Sequence, residues 1–264
     1  MTRLSAGGYL DHIRSESARF RAALAACDPD APVPSCPEWT AADLLWHLGG
    51  EVQHFWNWVV RHRPEAPDGY QEAERPESYA DLLSFFDATN AAFVAALAGA
   101  DPAEAAWSWA AEQTVGFTFR RQAHEALVHR IDAELTVGAL TPLDPALAAD
   151  GVDEALDVMF GGTPPWGSFA PLPHHVRVDS VDVGASVWVQ LGRFTGTAPD
   201  GTAHDTEDVS VVADPGTEPD VVVSGPAAAL DAWLWRRGGD EAVTVSGDRS
   251  VYDRFRACVN QPIT

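Results

Sequence analysis

The chain has 264 residues, of which 46% are hydrophobic and 21% are charged, and its 17 basic and 39 acidic side chains give a formal net charge of −22. This composition is typical of a globular protein with one large domain or two domains of ordinary size. All 17 basic residues are arginines, so reactions that need a Schiff-base lysine, a phosphate-loop lysine or a lysine general base are excluded. The negative charge also argues against a nucleic-acid partner, because it repels the phosphate backbone.

Three cysteines, Cys27, Cys36 and Cys258, are too few and too scattered for a disulfide framework or a thiolate zinc site. The sequence contains no uninterrupted run of about 18 apolar residues, and its N-terminal segment lacks the apolar core of a signal peptide. We therefore expect a cytoplasmic protein that binds neither a membrane nor nucleic acid and that is a monomer or a weak homodimer.

Apolar residues recur at helical intervals in four long segments, residues 4–27, 40–62, 78–97 and 119–137. A proline-rich linker at 28–39 separates the first two segments. Thr40 followed by Asp43 resembles a capping box with Asp in place of Glu, which is typical of a helix N-terminus. Four helices of this length predict a bundle, and residues 143–160 have the pattern of a fifth helix.

The C-terminal part changes to a period of two. Alternating or β-branched runs predict five strands, at residues 176–181, 186–192, 208–213, 220–225 and 242–247, and two helices, at 226–237 and 250–259. The proline-rich stretch 161–173 is interpreted as a break, and the acidic stretch 198–208 as a solvated turn. The sequence thus predicts an α+β protein of two domains, a helical bundle at 1–160 and a smaller α+β domain at 170–264.

The fourth predicted helix contains residues suited to binding a metal ion. Glu125 and His129 are four positions apart and share one helical face, whereas His124 points well away from that face. A third ligand must come from another helix, and His47 is the candidate. Two imidazoles and one carboxylate form a common catalytic metal site. Asp132 lies on the same face, where it can accept a hydrogen bond from an imidazole N–H.

Spacing alone leaves a simpler alternative open. His47 can be a hydrogen-bonded histidine of the core, and Glu125 can pair with Arg121 one turn earlier. Glu51 and His54 follow His47 by four and seven residues, which places them near the same helical face, so this helix offers further candidate ligands. In the simpler alternative the chain holds no metal ion, and replacing His129 by alanine costs only packing energy.

Sequence motifs add a family resemblance that covers nearly the whole chain. The stretches VPSCPEWTAADLLWHLGGEVQHFW and RRQAHEALVHRIDAEL resemble the N-terminal domain of the mycothiol-dependent maleylpyruvate isomerase family of actinobacteria, a branch of the DinB-like metal-binding four-helix bundles. The ending VVVSGPAAALDAWLWRRGGDEAVTVSGDRSVYDRF resembles the family's C-terminal domain, a small α+β unit similar to sterol carrier proteins. The resemblance implies that His47, Glu125 and His129 bind a divalent metal, for which zinc is the first choice, and it agrees with an actinobacterial source.

The resemblance also implies a function. The expected cofactor or cosubstrate is mycothiol, a low-molecular-weight thiol, which a metal activates to attack a small electrophile, either in cis-trans isomerisation of the maleylpyruvate type or in thiol S-transfer. An arginine of the C-terminal domain contributes to the isomerase reaction, and the matching positions here are Arg237 and Arg236, where relatives often have LWGR. The alternative is a non-catalytic module that binds a small ligand and keeps a structural metal.

Overall fold

A computed structural model describes residues 3–261. The described chain forms two units, of which the first is Leu4–Pro142 and the second begins at Leu143. The sequence analysis grouped residues 143–160 with the helical domain, whereas in the structure this segment belongs to the second unit. The extreme ends of the predicted domains, residues 1–2 and 262–264, lie outside the described residues.

Helices dominate the first unit, as the sequence predicts. They are α1 (Ala6–Leu24), α2 (Ala41–Trp46), α3 (His54–His62), α4 (Tyr79–Ala98) and α5 (Val115–Thr136), and a π-helical segment, His47–Gln53, joins α2 to α3. A short 3-10 helix, Pro67–Gly69, follows α3. The proline-rich linker contains a small antiparallel hairpin of β1 (Pro32–Val33) and β2 (Cys36–Thr40), which the sequence analysis did not predict.

Side-chain caps begin the helices that carry the site. The Thr40 hydroxyl accepts from the backbone N–H of Asp43, and the Asp43 carboxylate accepts from the backbone N–H of Thr40, so the predicted capping box is confirmed. Thr114 caps α5 by accepting from the N–H of Phe117. α1 packs along α5. The core of the bundle includes Phe20, Leu44, Leu48 and Phe86.

One helix, Tyr79–Ala98, is long and apolar enough to cross a membrane by length and composition. The core helix of a soluble protein passes the same test. Its Leu82, Phe86, Phe93 and Leu97 are buried in the structure. This helix therefore contributes these four side chains to the bundle core, and one such helix is weak evidence for a membrane span.

The second unit combines a sheet with helices. Its elements are α6 (Pro145–Glu154), a π-helical segment (Ala155–Phe160), β3 (Gly167–Ser180), β4 (Ala185–Thr197), β5 (Ala203–Val212), β6 (Val221–Gly225), α7 (Ala227–Leu234), β7 (Thr244–Gly247) and α8 (Arg249–Val259). The strand order is β5-β4-β3-β6-β7, in which β3 and β6 run parallel and the other pairs are antiparallel. The predicted α+β fold class is confirmed.

Two strands begin earlier than the sequence predicts. β3 starts at Gly167, inside the proline-rich stretch, and its pairing with β4 shifts register between Pro171 and His175, where proline can be accommodated without a ladder hydrogen bond. β5 starts at Ala203, inside the acidic stretch, because it pairs with β4 at the edge of the sheet, where charged side chains are tolerated.

Candidate metal centre

His47, Glu125 and His129 come together in the first unit. Each offers one potential ligand atom, and the three atoms lie within 4.8 Å of one another. His129 Nε2 lies 3.1 Å from Glu125 Oε2, and donors bound to one zinc ion at about 2.0–2.1 Å are separated by about the same distance. Within residues 3–261, this is the one such group of His, Cys, Asp or Glu side chains. The arrangement fits a metal with two imidazole ligands and one carboxylate ligand.

A local feature of the helix positions His47. The π-helical segment begins at this residue, and single π-helical turns are frequent at functional sites. Two glycines in the segment allow close packing: a Cβ atom on Gly49 would lie 3.1 Å from the ring of Phe86, and one on Gly50 would lie 2.4 Å from the indole of Trp46. The two glycines of the sequence LGG therefore permit the neighbouring aromatic rings to pack directly on the segment that carries His47.

Carboxylates orient both imidazoles from behind. His47 Nδ1 lies 2.7 Å from Glu51 Oε2, and His129 Nδ1 donates to Asp132 Oδ2 at 3.0 Å. The Ser35 hydroxyl donates to the other oxygen of Asp132 at 2.5 Å. Such contacts at Nδ1 leave Nε2 available as the metal ligand. Asp132 is placed as the sequence analysis expected, and Glu51 holds His47 rather than joining the ligand group.

The β1–β2 hairpin covers one side of the site. The Trp39 ring lies 4.6 Å from the His47 ring and 6.3 Å from the His129 ring, centroid to centroid. Sequence reasoning did not assign a role to Trp39 or Ser35. The motif Cys-Pro-x-Trp-Thr contains Trp39, and it was the signal that could have pointed to this residue.

Arg121 contacts the carboxylate of Glu125 directly. Its Nε and Nη2 atoms lie 3.2 Å and 3.0 Å from the same oxygen, Oε1. Burial alone raises the pKa of Glu125, but the positive charge of Arg121, together with the hydrogen bond to His129, holds the pKa well below its usual range. The pairing that the sequence analysis treated as an alternative to a metal site therefore coexists with the three-residue group.

Electrostatics differ between the two histidines. Burial alone lowers the pKa of His129, but hydrogen bonds to Asp132 and Glu125 raise it to about 9. The pKa of His47 is lowered, first by burial and then by the charge of His129, against the opposing effect of Glu51. His47 therefore offers a neutral imidazole near pH 7, whereas His129 must release a proton before it can bind a metal.

Solvent reaches part of the group. The side chains of His47 and Glu125 are 25% and 22% exposed, while that of His129 is 8% exposed. A structural zinc site is normally closed by four protein ligands, and a catalytic one keeps a position open. The group here has three donors and is partly exposed, so a metal bound to it would keep a coordination position open.

Other histidines of the first unit lie outside the group. His124 is 1% exposed, and its ring packs edge-on against Tyr9 of α1, so it is a core histidine, as its position on the helix indicated. His54 Nδ1 contacts the hydroxyl of Tyr70 at 2.9 Å. Neither belongs to the residues that can hold a metal.

Two more polar side chains share the helical face of Glu125 and His129. Thr118 and Gln122 are 0% and 1% exposed, and neither the Thr118 hydroxyl nor the Gln122 amide has a hydrogen-bond partner. Gln53, which is equally buried, differs because its amide donates to Ser17 and accepts from Asn90. Residues three, four and seven positions apart share a face of a helix, so α5 presents a polar stripe that begins two turns before the candidate ligands.

In the second unit the two predicted arginines differ in environment. Arg236 is exposed and has a φ of 60°, a left-handed conformation that favours glycine. Arg237 is half-buried, and its Nη1 atom donates to the carbonyl of Trp235 at 2.7 Å. The backbone therefore matches Arg236 to the glycine of the LWGR motif and Arg237 to its arginine.

The described chain thus consists of a helical unit, in which two imidazoles and one carboxylate come together, followed by an α+β unit. Family models agree with this organisation. The model described as the mycothiol maleylpyruvate isomerase N-terminal domain matches residues 10–134, and the corresponding C-terminal domain model matches residues 146–254. The chain therefore belongs to the mycothiol maleylpyruvate isomerase family, and the predicted family and enzyme class are confirmed.

Solved structures share this fold. The crystal structure of a His-to-Ala mutant of the mycothiol-dependent maleylpyruvate isomerase is similar with a TM-score of 0.58 and 15% identity, over 93% of this chain and 96% of that one. The structure of the unmutated isomerase has a TM-score of 0.56, with the same identity and coverage. A search of curated proteins gave no match.

Proposed function

We propose that this protein is a divalent-metal-dependent enzyme that uses mycothiol to attack a small electrophilic substrate. The observation that carries the proposal is the convergence of His47, Glu125 and His129, whose ligand atoms lie within 4.8 Å of one another. Family membership supplies mycothiol and maleylpyruvate as the thiol and the substrate type to test first. Maleylpyruvate is one member of the substrate class, which we define as small electrophiles with a carboxylate group.

His47 and His129 would bind the metal through Nε2, and Glu125 would bind it through a carboxylate oxygen. Zinc is our first choice, because this combination of nitrogen and oxygen ligands suits it. When bound, a divalent ion supplies the Lewis acidity that lowers the pKa of a thiol near it.

Residues of this chain prepare the site before any ligand arrives. Glu51 and Asp132 hold the Nδ1 atoms of the two imidazoles, so the rings need no reorientation on binding. Trp39 shields the imidazoles on one side, and the exposed edges of His47 and Glu125 leave an approach for a thiol. For the second unit, we propose that Arg237 contributes to the activity, with Arg236 as the second candidate.

Two outcomes share the same attack by a thiolate. In isomerisation the sulfur adds to one carbon of an electron-poor cis double bond, and the π electrons move to the electron-withdrawing group. The former double bond, now single, rotates, and the electron pair returns to re-form it as the trans isomer while the thiolate leaves. In S-transfer the sulfur stays on the substrate and a leaving group departs. The partial exposure of the three-donor group favours either reaction over the alternative of a binding module with a structural metal.

Mass spectrometry of the metal content of purified protein tests the proposal first. We expect about one ion per chain, lost in His129→Ala and kept in His124→Ala, which removes a buried imidazole of the same helix that is outside the site. The loaded protein should then convert maleylpyruvate, or join mycothiol to an electrophile, in a thiol-dependent reaction. No metal after reconstitution, or equal loss from both variants, would contradict the proposal.

We also propose a cytoplasmic protein that acts as a monomer or weak homodimer without a nucleic-acid or membrane partner. The net charge of −22 argues against a nucleic-acid partner, and the burial of Leu82, Phe86, Phe93 and Leu97 within Tyr79–Ala98 argues against a membrane span.

A further inference from the structure

The Arg121 side chain sets the position of one carboxylate oxygen of Glu125. Two of its nitrogens contact Oε1, at 3.2 Å and 3.0 Å, while the other oxygen, Oε2, lies 3.1 Å from His129 Nε2. The two oxygens of Glu125 therefore face different partners. Oε1 faces a cation of the chain itself, and Oε2 faces the point where the ligand atoms converge.

Burial makes this contact persistent. Arg121 is 2% exposed, and a buried guanidinium needs a negative partner, because removal from water is costly for an unpaired charge. The pair is four residues apart on α5, so the helix itself holds the guanidinium and the carboxylate in register. An exposed ion pair of the same spacing would exchange with water far more readily.

A carboxylate can bind a metal through one oxygen or through both. We propose, on the basis of the proposed metal-dependent function, that Arg121 is a positioning residue that restricts Glu125 to a single coordinating oxygen, Oε2. Its positive charge also opposes the approach of a divalent cation. The chain thereby accepts weaker metal binding and keeps a coordination position available for an incoming thiol.

If Arg121 positions Glu125 in this way, its removal should change metal binding, whereas the loss of a purely structural ion pair should not. Without Arg121, both oxygens of Glu125 are free to bind the ion, and the opposing charge is gone. Arg121→Met should therefore bind Co²⁺ more tightly than the unmodified chain, by about tenfold, because a positive charge close to the ion is removed and a second carboxylate oxygen becomes available. The bound Co²⁺ should also have one more ligand atom, which weakens its visible absorption bands.

Titration with Co²⁺ alone, followed by absorption spectroscopy and competition with a chelator, tests the proposal. Arg121→Lys, which keeps the cation, should restore the affinity and spectrum of the unmodified chain. The matched control is Arg130→Met, because Arg130 is also a buried arginine of α5 but pairs with Glu16 and Glu134. This control should lose stability and leave both the Co²⁺ affinity and the spectrum unchanged.

Each result has a defined meaning. An Arg121→Met protein that binds Co²⁺ with unchanged or lower affinity and an unchanged spectrum overturns the positioning role alone. An unmodified chain that binds no Co²⁺ overturns the proposed metal-dependent function as well. If Arg121→Met does not fold, Arg121→Gln replaces it, and its neutral amide, a weaker hydrogen-bond donor than guanidinium, should shift affinity and spectrum in the same direction by a smaller amount.

Discussion

Replacement of Asp132 by asparagine tests how the chain prepares His129 for a metal. Asp132 is 0% exposed and accepts hydrogen bonds from His129 Nδ1 and from Ser35. Asparagine has nearly the same shape and keeps one oxygen acceptor, but it carries no charge. The carboxylate fixes the ring and raises the basicity of the imidazole that binds the metal, so its replacement should weaken metal affinity by about tenfold, which corresponds to about 1.4 kcal/mol.

The effect depends on pH, because a proton competes with the metal for His129. The pKa of His129 is raised to about 9, so below that pH the metal must displace a proton and its apparent affinity rises with pH. In Asp132→Asn a main cause of the raised pKa is gone. The imidazole then loses its proton at lower pH, which offsets part of the lost affinity near neutrality. The full tenfold difference should therefore be seen only above about pH 9.

Zinc affinity measured between pH 6.5 and 9.5, with a competing chelator as the metal buffer, checks this prediction. Glu134→Gln is the control, because Glu134 is a buried carboxylate of the same helix that pairs with Arg130 away from the site. It should lower the free energy of unfolding and leave the zinc affinity unchanged. Equal affinity of Asp132→Asn and the unmodified chain at pH 9.5, or a difference that grows as the pH falls, would refute the reasoning.

Three further predictions concern stability and reactivity. Gln122→Met should raise the free energy of unfolding in urea by about 1 kcal/mol, because it removes a buried amide without a partner. Gln53→Met should lower it by about 1–3 kcal/mol, because it leaves two partners unsatisfied. Effects of the same sign in the two variants would contradict this. Arg236→Gly should stabilise the chain by about 1 kcal/mol in thermal denaturation by relieving the left-handed backbone, and Arg236→Ala should give no gain. The pKa of the Cys258 thiol is raised to about 11, chiefly by burial. Its alkylation rate, measured by mass spectrometry, should therefore reach half its maximum near pH 11. A midpoint near 9, the ordinary pKa, would show that the thiol is not shielded.

Much of the first unit follows from local patterns in the sequence. Apolar periodicity indicated the helices, and the Thr40–Asp43 pair indicated the start of α2. The spacing of Glu125 and His129 placed both on one helical face, because each residue of a helix turns by about 100°. The same rotation per residue places His124 on a different helical face, and in the structure its ring packs against Tyr9.

The sequence analysis missed strand residues in segments rich in proline or in charged side chains. The linker that contains Ser35 forms a hairpin, and β3 begins among prolines, because proline only removes one hydrogen-bond donor and an irregular register can absorb that loss. The acidic start of β5 is extended because β4 pairs with it. Strand pairing depends on a partner that is distant in sequence, so local composition does not determine it.

The sequence by itself determined which residue types are available for chemistry and which helical face carries Glu125, His129 and Asp132, since both depend only on composition and on the period of a helix. Tertiary structure alone decided that His47 meets this face and that Ser35 holds Asp132. Local periodicity sets the direction of each side chain, whereas the meeting of side chains from separate segments depends on how the helices pack.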